Sequence, residues 1–161
     1  MIHSPALWTV FGLLLYAVWT DIAKFRIANA VPLGIVLLFP VHALSTGMSL
    51  HDAALHGLAG CAVLTVTFLL YTAGLRFGGG DAKLLSAVAL WAGFSDLALL
   101  LLNLSLVGGA LALAVVMASQ MGVSGWAVAH GWRLPIFEQI NGKHYIPYAV
   151  PIAVGFAFTV L

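Results

Sequence analysis

The chain has 161 residues, of which 63% are apolar and only 7% are Asp, Glu, Lys or Arg, and its formal net charge is +1. A mean hydropathy of +1.10 excludes a soluble globular domain. The single cysteine, Cys61, leaves no room for a cysteine-rich zinc site or an intramolecular disulfide. We expect no cofactor, no bound metal and no nucleic-acid partner.

The apolar residues form long blocks without the period of a half-buried strand or an amphipathic helix. The predicted fold is therefore all-α, a polytopic membrane protein whose single membrane-embedded domain covers residues 1–161. Since a helix needs about 20 apolar residues to cross a bilayer, the length allows about six transmembrane helices. In chain order, the predicted spans are Pro5–Thr20, Ile27–Leu44, Ala53–Thr72, Ala82–Trp91, Leu97–Ala118 and Ile146–Leu161. The segment Ser119–Tyr145 mixes glycine, tryptophan and charge, and it is predicted to lie at the membrane interface.

The basic residues support this order of spans because they fall in alternate loops. They are Lys24, Arg26, Arg76, Lys83, Arg133 and Lys143. Lys and Arg are retained on the cytoplasmic side of membrane proteins, so the first, third and fifth loops are predicted to be cytoplasmic and both termini outside. Two full spans separate Asp21 from Asp81, which places both carboxylates on the cytoplasmic face.

The stretch Gly78-Gly79-Gly80-Asp81 is the most informative part of the chain. A carboxylate near the hydrocarbon boundary is costly unless it is paired, solvated or protonated. Two neighbouring carboxylates can activate a water, because one takes its proton while the other donates to a carbonyl oxygen. The three glycines would let an extended peptide come close to Asp81. Asp21 and Asp81 are therefore candidate catalytic residues for aspartic proteolysis.

Other roles for these acids stay open at this point. Asp81 opens an apolar helix and can be an N-cap, and Asp21 can be a helix-end charge paired with a nearby basic residue. Asp52 and Asp96 precede helix starts on the opposite face, so both are predicted to be caps or boundary residues. A small proton- or cation-coupled transporter would also use acids in a membrane domain, and a non-catalytic subunit of a secretion assembly is a third possibility.

Three stretches of the chain resemble the type IV prepilin peptidases, membrane-embedded aspartic proteases of the Gly-x-Gly-Asp class, and most closely their short Tad/Flp-pilus form. The stretches are Asp21–Asn29, Phe77–Leu85 and Ile146–Ala153. The resemblance implies that Asp21 and Asp81 are catalytic and that Gly78 and Gly80 belong to the glycine motif. It also implies a multi-pass protein of the bacterial inner membrane whose active site faces the cytoplasm.

The substrate implied by the resemblance is a prepilin with a short basic leader and a hydrophobic N-terminal helix, cut after a glycine between the two. Bifunctional relatives carry paired Cys-x-x-Cys zinc ligands and methylate the new N-terminus. With one cysteine and with Asp21 after a single span, neither the zinc site nor the methyl transfer is expected here. The resemblance says nothing of the oligomeric state.

Further candidates for contact with the substrate are the charged residues of the cytoplasmic loops. Lys83 could pair with an acidic residue of the pilin or anchor at the phosphate level of the bilayer. Lys24 and Arg26 are expected to set the topology and could also contact the substrate. Glu138, the only glutamate, could contact the basic leader or remain a solvated surface charge.

Overall fold

The computed structural model describes residues 4–74, 78–121, 139–140, 143–144 and 146–161. Its helices are α1 (Pro5–Lys24), α2 (Ala30–Thr46), α3 (Leu50–Thr72), α4 (Gly79–Gln120) and α5 (Ala149–Val160), and its two short strands are β1 (Gln139–Ile140) and β2 (Lys143–His144). The strands pair in antiparallel order, with Gln139 opposite His144. The predicted all-α class is confirmed, with this short ribbon as an addition.

Local sequence signals explain where α1 and α3 begin. The Ser4 hydroxyl accepts from the backbone N–H of Leu7, and Pro5 takes the first helical position, where its missing N–H costs nothing. At α3, the Ser49 hydroxyl accepts from the N–H of Asp52 and donates to its carboxylate. Asp52 was predicted to be a cap or a boundary residue; the N-cap is Ser49, and Asp52 lies in the first turn of α3.

The helix α4 has 42 residues and contains the two spans that were predicted as Ala82–Trp91 and Leu97–Ala118. Gly93 interrupts it with φ 69° and ψ −179°, a conformation that essentially only glycine adopts. We call residues 79–92 the first arm of α4 and residues 94–120 the second arm. The two predicted helices are thus separated by the single residue Gly93 and not by a loop.

Contacts on either side of Gly93 show that the two arms run in opposite directions. The first arm starts beside the end of α1, where a Cβ built on Gly80 would lie 3.3 Å from Cβ of Ile27. Along the second arm, Gly108 faces Pro151 near the start of α5, and the side chain of Asn103 donates to Thr159 near the end of α5. Because α5 also starts beside the end of α1, the second arm returns toward the level where the first began.

In the part of the chain that the structure describes, three helices are long and apolar enough to cross a membrane: α1, α3 and α4, the last over Gly79–Ala118. The helices α2 and α5 are shorter, with 17 and 12 residues. Twelve residues extend about 18 Å along a helix, well short of a hydrocarbon core of about 30 Å. The predicted count of about six spans is therefore not confirmed, since two segments share α4 and two helices are short.

The outer surface of the described helices is apolar, as expected for a protein solvated by lipid. Large side chains such as Trp19, Leu44 and Leu106 are more than 60% exposed. Soluble proteins seldom expose apolar patches of this extent, whereas a helix that is apolar all round belongs in a core or a membrane. The core is built where α1, α2, α4 and α5 meet, and its largest buried side chains include Leu14, Ile35, Leu84 and Phe156.

The kink at Gly93 provides a first testable prediction. A Cβ at this position would lie 2.7 Å from two atoms of the His56 ring, whose Nδ1 donates to the carbonyl of Leu90. Together with the positive φ, this contact leads us to expect that Gly93→Ala destabilises the protein by about 1–3 kcal/mol. Thermal unfolding of the detergent-solubilised protein measures the effect.

Gly109→Ala is the matched control, because Gly109 is helical and, among the described residues, a Cβ there meets nothing within 4 Å. This control should be neutral or more stable by up to about 1 kcal/mol, since Ala is the better helix former. Equal stabilities of the two variants would show that the Gly93 conformation is not needed.

Candidate active site

Asp21 lies in the last turn of α1 and is only 6% exposed. Its Oδ2 accepts a hydrogen bond from the backbone N–H of Ala149, with 3.0 Å between nitrogen and oxygen. Ala149 is the first residue of α5, and N–H groups at a helix start favour a negative charge. The carboxylate is thus held by a segment 128 residues further along the chain.

Phe25 ends α1 four residues after Asp21 in a left-handed conformation, with φ 48° and ψ 38°. Its N–H donates to the carbonyl oxygen of Asp21 over 2.8 Å. Such a C-terminal turn redirects the chain directly after the last helical residue. The residues that follow, up to Asn29, therefore pass beside the Asp21 carboxylate and form part of the site.

Asp81 lies in the first turn of α4, which begins two residues earlier at Gly79. The carboxylate folds back over Gly78, so that a Cβ built on Gly78 would overlap Oδ2 of Asp81. The side chain is half-buried. Asp81 is therefore not the N-cap of α4, and the glycine that precedes the helix leaves the space which the carboxylate occupies.

Both carboxylates line one cavity of about 570 Å³ at this end of the helices. The other lining residues come from the end of α1, from the turn into α2 and from the start of α4: Tyr16, Thr20, Lys24, Phe25, Arg26, Ile27, Ala28, Asn29, Gly78, Gly79 and Gly80. The order of spans predicted that Asp21 and Asp81 lie on one face, and both line this cavity.

Close contacts hold the three separate stretches around the cavity. Gly80 packs against Ile27, where a side chain at position 80 would come within 3.3 Å of Cβ of Ile27. Lys83 Nζ donates to Oδ1 of Asn29 over 3.0 Å, which joins the start of α4 to the start of α2. With the bond from Ala149 to Asp21, the stretches 21–29, 78–85 and 146–153 meet at one place.

Among the described residues, the charged side chains that line the cavity form no ion pair with each other. Lys24 and Arg26 line the cavity, but the hydrogen bond to the Asp21 carboxylate comes from a backbone N–H and not from either of them. The ion pair between Asp21 and a nearby basic residue that the sequence left open is therefore not formed among the described residues. Two acidic and two basic side chains around one cavity give a polar opening in an otherwise apolar molecule.

The remaining predicted site residues fall in different places. Gly78, Gly79 and Gly80 all line the cavity, as do Lys24 and Arg26. Lys83 instead faces a separate apolar groove. Glu138 lies outside the described residues, as do Arg76, Arg133 and most of the predicted interfacial segment. Across the described residues, no group of three His, Cys, Asp or Glu side chains could hold a metal ion.

Sequence reasoning assigned no role to several residues that shape the site. Tyr16 and Thr20 lie four residues apart and share a face of α1, which the sequence could have indicated, although neither lies three or four residues from Asp21. Phe25 carries no such signal, because a left-handed phenylalanine is not expected from its residue type. The contact of Ala149 with Asp21 was also missed, although the stretch around Pro147 and Pro151 was singled out.

The fold and the cavity define a class of protein: a polytopic helical membrane protein with two aspartates facing one opening at an end of its helices. The Type IV leader peptidase family model matches residues 8–113, a range that contains both aspartates. The chain belongs to this family, and it is accordingly a membrane-embedded protease of the prepilin peptidase kind. No match was found among curated proteins or among solved structures.

Proposed function

We propose that this protein is an aspartic endopeptidase that removes the basic leader from Tad/Flp-type prepilins at the cytoplasmic face of the bacterial inner membrane. The observation that carries the proposal is the common cavity lined by Asp21 and Asp81. Asp21 is bonded to the N–H of Ala149 and makes no ion pair among the described residues. Asp81 lies in the first turn of α4 as Asp52 lies in the first turn of α3, but only Asp81 shares a cavity with a second acid.

The chemistry follows from two carboxylates that hold one water. The ionised carboxylate removes a proton from the water as its oxygen attacks the carbonyl carbon of the scissile peptide bond. The protonated carboxylate donates its proton to the carbonyl oxygen, which gives a neutral tetrahedral intermediate. When the carbon–nitrogen bond breaks, the leaving nitrogen takes the proton of the protonated carboxyl group, and a hydroxyl group of the intermediate gives its proton to the other carboxylate as the new carboxylic acid forms, so that the pair again shares one proton.

The residues around the pair support distinct roles in this reaction. The N–H of Ala149 stabilises negative charge on Oδ2 of Asp21, which favours Asp21 as the ionised partner. Asp81, half-buried beside the glycines, is then the partner that carries the shared proton. Gly79 and Gly80 offer a wall without side chains along which an extended peptide can lie.

The cytoplasmic side of the site is inferred from charge. Lys24 and Arg26 line the same cavity as the aspartates, and basic residues mark the cytoplasmic side of membrane proteins. A prepilin leader in the cytoplasm and its apolar helix in the bilayer would present the scissile bond at this level. Since there is one cysteine, methyl transfer of the zinc-containing kind is not part of the proposed activity.

The transporter alternative is less well supported. Ion sites of secondary transporters lie near the bilayer midplane, between repeated broken helices. Here the two acids lie at one end of the helices, where α1 ends and α4 begins. Gly93, the break within α4, is at the opposite end of the first arm.

Coexpression with a Tad-type prepilin tests the proposal. We expect the wild-type protein to release a leader that ends in glycine, and mass spectrometry of the mature pilin identifies the new N-terminus. A proton-flux measurement in proteoliposomes addresses the transporter class. Intact prepilin across several substrates, or a proton flux that depends on Asp21 and Asp81, would overturn the proposed function.

A further inference from the structure

A second cavity of about 480 Å³ lies between α2, α3 and the first arm of α4, and we call it the apolar groove. It is lined by Asn29, Pro32, Leu33 and Val36 of α2 and its cap, by Gly57, Gly60, Cys61 and Leu64 of α3, and by Lys83, Ser86, Ala87 and Leu90 of α4. Neither aspartate lines it, so it is a different feature from the active-site cavity.

The lining residues recur at helical spacing, which makes the groove an elongated trough along the helices. From Asn29 to Val36, and from Lys83 to Leu90, each wall covers about two helical turns, or roughly 10 Å. The α3 wall contains the small residues Gly57 and Cys61 beside Leu64, while Gly60 packs against Ser86 and Leu90 of the first arm. Small residues allow the backbone of another helix to come close within a membrane.

The polar end of the groove joins the active-site cavity. Asn29 lines both spaces, and its Oδ1 accepts the hydrogen bond from Lys83, which lines the groove. The other lining side chains are apolar or small, apart from the hydroxyl of Ser86, which donates to the carbonyl of Ala82. A chain that leaves the aspartates past Asn29 would thus pass from a polar opening into an apolar trough.

We propose that the apolar groove receives the first two turns of the substrate's hydrophobic helix, on the carboxyl side of the scissile bond. The proposal rests on the proposed function, because a prepilin joins a polar leader to an apolar helix at the cleavage site. The continuity through Asn29 selects this occupant over a bulk lipid or a second copy of the chain. Packing against the small α3 wall would hold the helix while the bond beside it is cut.

The native Cys61 allows a direct test, since it is exposed, lines the groove and is the only cysteine of the chain. Prepilins with one cysteine at successive positions of the first two helical turns are coexpressed and oxidised in membranes. We expect disulfide cross-linking at one helical face, because the bridge requires Cα atoms within about 7 Å. The comparison protein is Cys61→Ser with Gly12→Cys, which moves the thiol to an exposed position on α1 and should not cross-link.

A second variant fills the groove without disturbing the packing of the protein. Among the described residues, a Cβ at Gly57 meets nothing within 4 Å, so Gly57→Phe projects a ring into the groove. We expect prepilin cleavage and cross-linking to Cys61 to fall by about tenfold or more, equivalent to about 1.4 kcal/mol. Gly12→Phe, at an equally open position on α1, should leave both unchanged.

Failure of this proposal can be told from failure of the proposed function. The cysteine introduced into the prepilin lies on the carboxyl side of the scissile bond and stays with the mature pilin. Cross-linking to Cys61 therefore reports occupancy of the apolar groove whether or not the leader is cut. Absence of a pilin cross-link together with normal cleavage by Gly57→Phe would overturn the groove assignment and leave the aspartic mechanism intact. Cross-linking of Cys61 to a second copy of the chain, with no pilin product, would also overturn it.

Discussion

Replacing either aspartate by asparagine is expected to abolish leader removal, with cleavage reduced by about 10²–10⁴-fold or more. Asparagine has the shape of aspartate but can neither take a proton from water nor donate one as an acid. Asp21→Asn should keep the site intact, since the amide oxygen can still accept the N–H of Ala149. The measurement is the rate of prepilin cleavage at equal amounts of membrane-inserted protein.

Asp52→Asn is the control for this prediction. Asp52 is bonded to Ser49 at the start of α3, at the opposite end of the helices from the active-site cavity, and asparagine can accept the same bond. The control should cleave at the wild-type rate. If Asp21→Asn or Asp81→Asn also cleaves at that rate, the affected aspartate has no part in the reaction.

The second large effect is expected at Gly78, through the position of the Asp81 carboxylate. A methyl group at residue 78 would overlap Oδ2 of Asp81, and a side-chain end moves more easily than a backbone. Gly78→Ala should therefore displace the carboxylate and lower cleavage by about 10²-fold, the typical cost of about 1 Å of misplacement, with little loss of stability.

The neighbouring glycines provide a graded series of controls. A Cβ at Gly79 meets nothing within 4 Å among the described residues, so Gly79→Ala should leave the Asp81 carboxylate in place. Gly80→Ala should have an intermediate effect, because its methyl group would press on Ile27 at 3.3 Å. If cleavage falls most in Gly79→Ala, the position of the Asp81 carboxylate does not explain the need for glycine here. Such a result would indicate that the glycines matter mainly through contact with the substrate.

Much of the fold could be predicted because composition alone selects a lipid-facing helical protein. The limits of α1 and α3 were predicted to within a few residues from where the apolar blocks begin and end, and the structure shows that Ser4 and Ser49 cap the two helices. The break at Gly93 falls between the predicted spans Ala82–Trp91 and Leu97–Ala118, but the sequence did not indicate that a single residue would form it. The length of α5 also differed from prediction, since it starts at Ala149 instead of Ile146.

The sequence singled out the acids and glycines that line the candidate cavity but not the groups that hold them in place. Asp21 and Asp81 stand out because charge is rare in this chain, and the alternation of basic loops put them on one face. The bond from Ala149 to Asp21 has no sequence signal, since any non-proline residue supplies a backbone N–H. The apolar groove was likewise not foreseen, because residues such as Gly57 and Ser86 become neighbours only through packing.

A transition-state analogue distinguishes two aspartates that act together on one water from two acids with separate roles. The analogue is a prepilin peptide whose scissile amide is replaced by a tetrahedral carbon bearing a hydroxyl group. We predict that it binds the wild-type protein at least about 10²-fold more tightly than the matching substrate peptide, and that either Asp→Asn substitution removes this advantage. Equal binding of analogue and substrate, or an advantage that survives loss of either carboxylate, would contradict the two-aspartate mechanism.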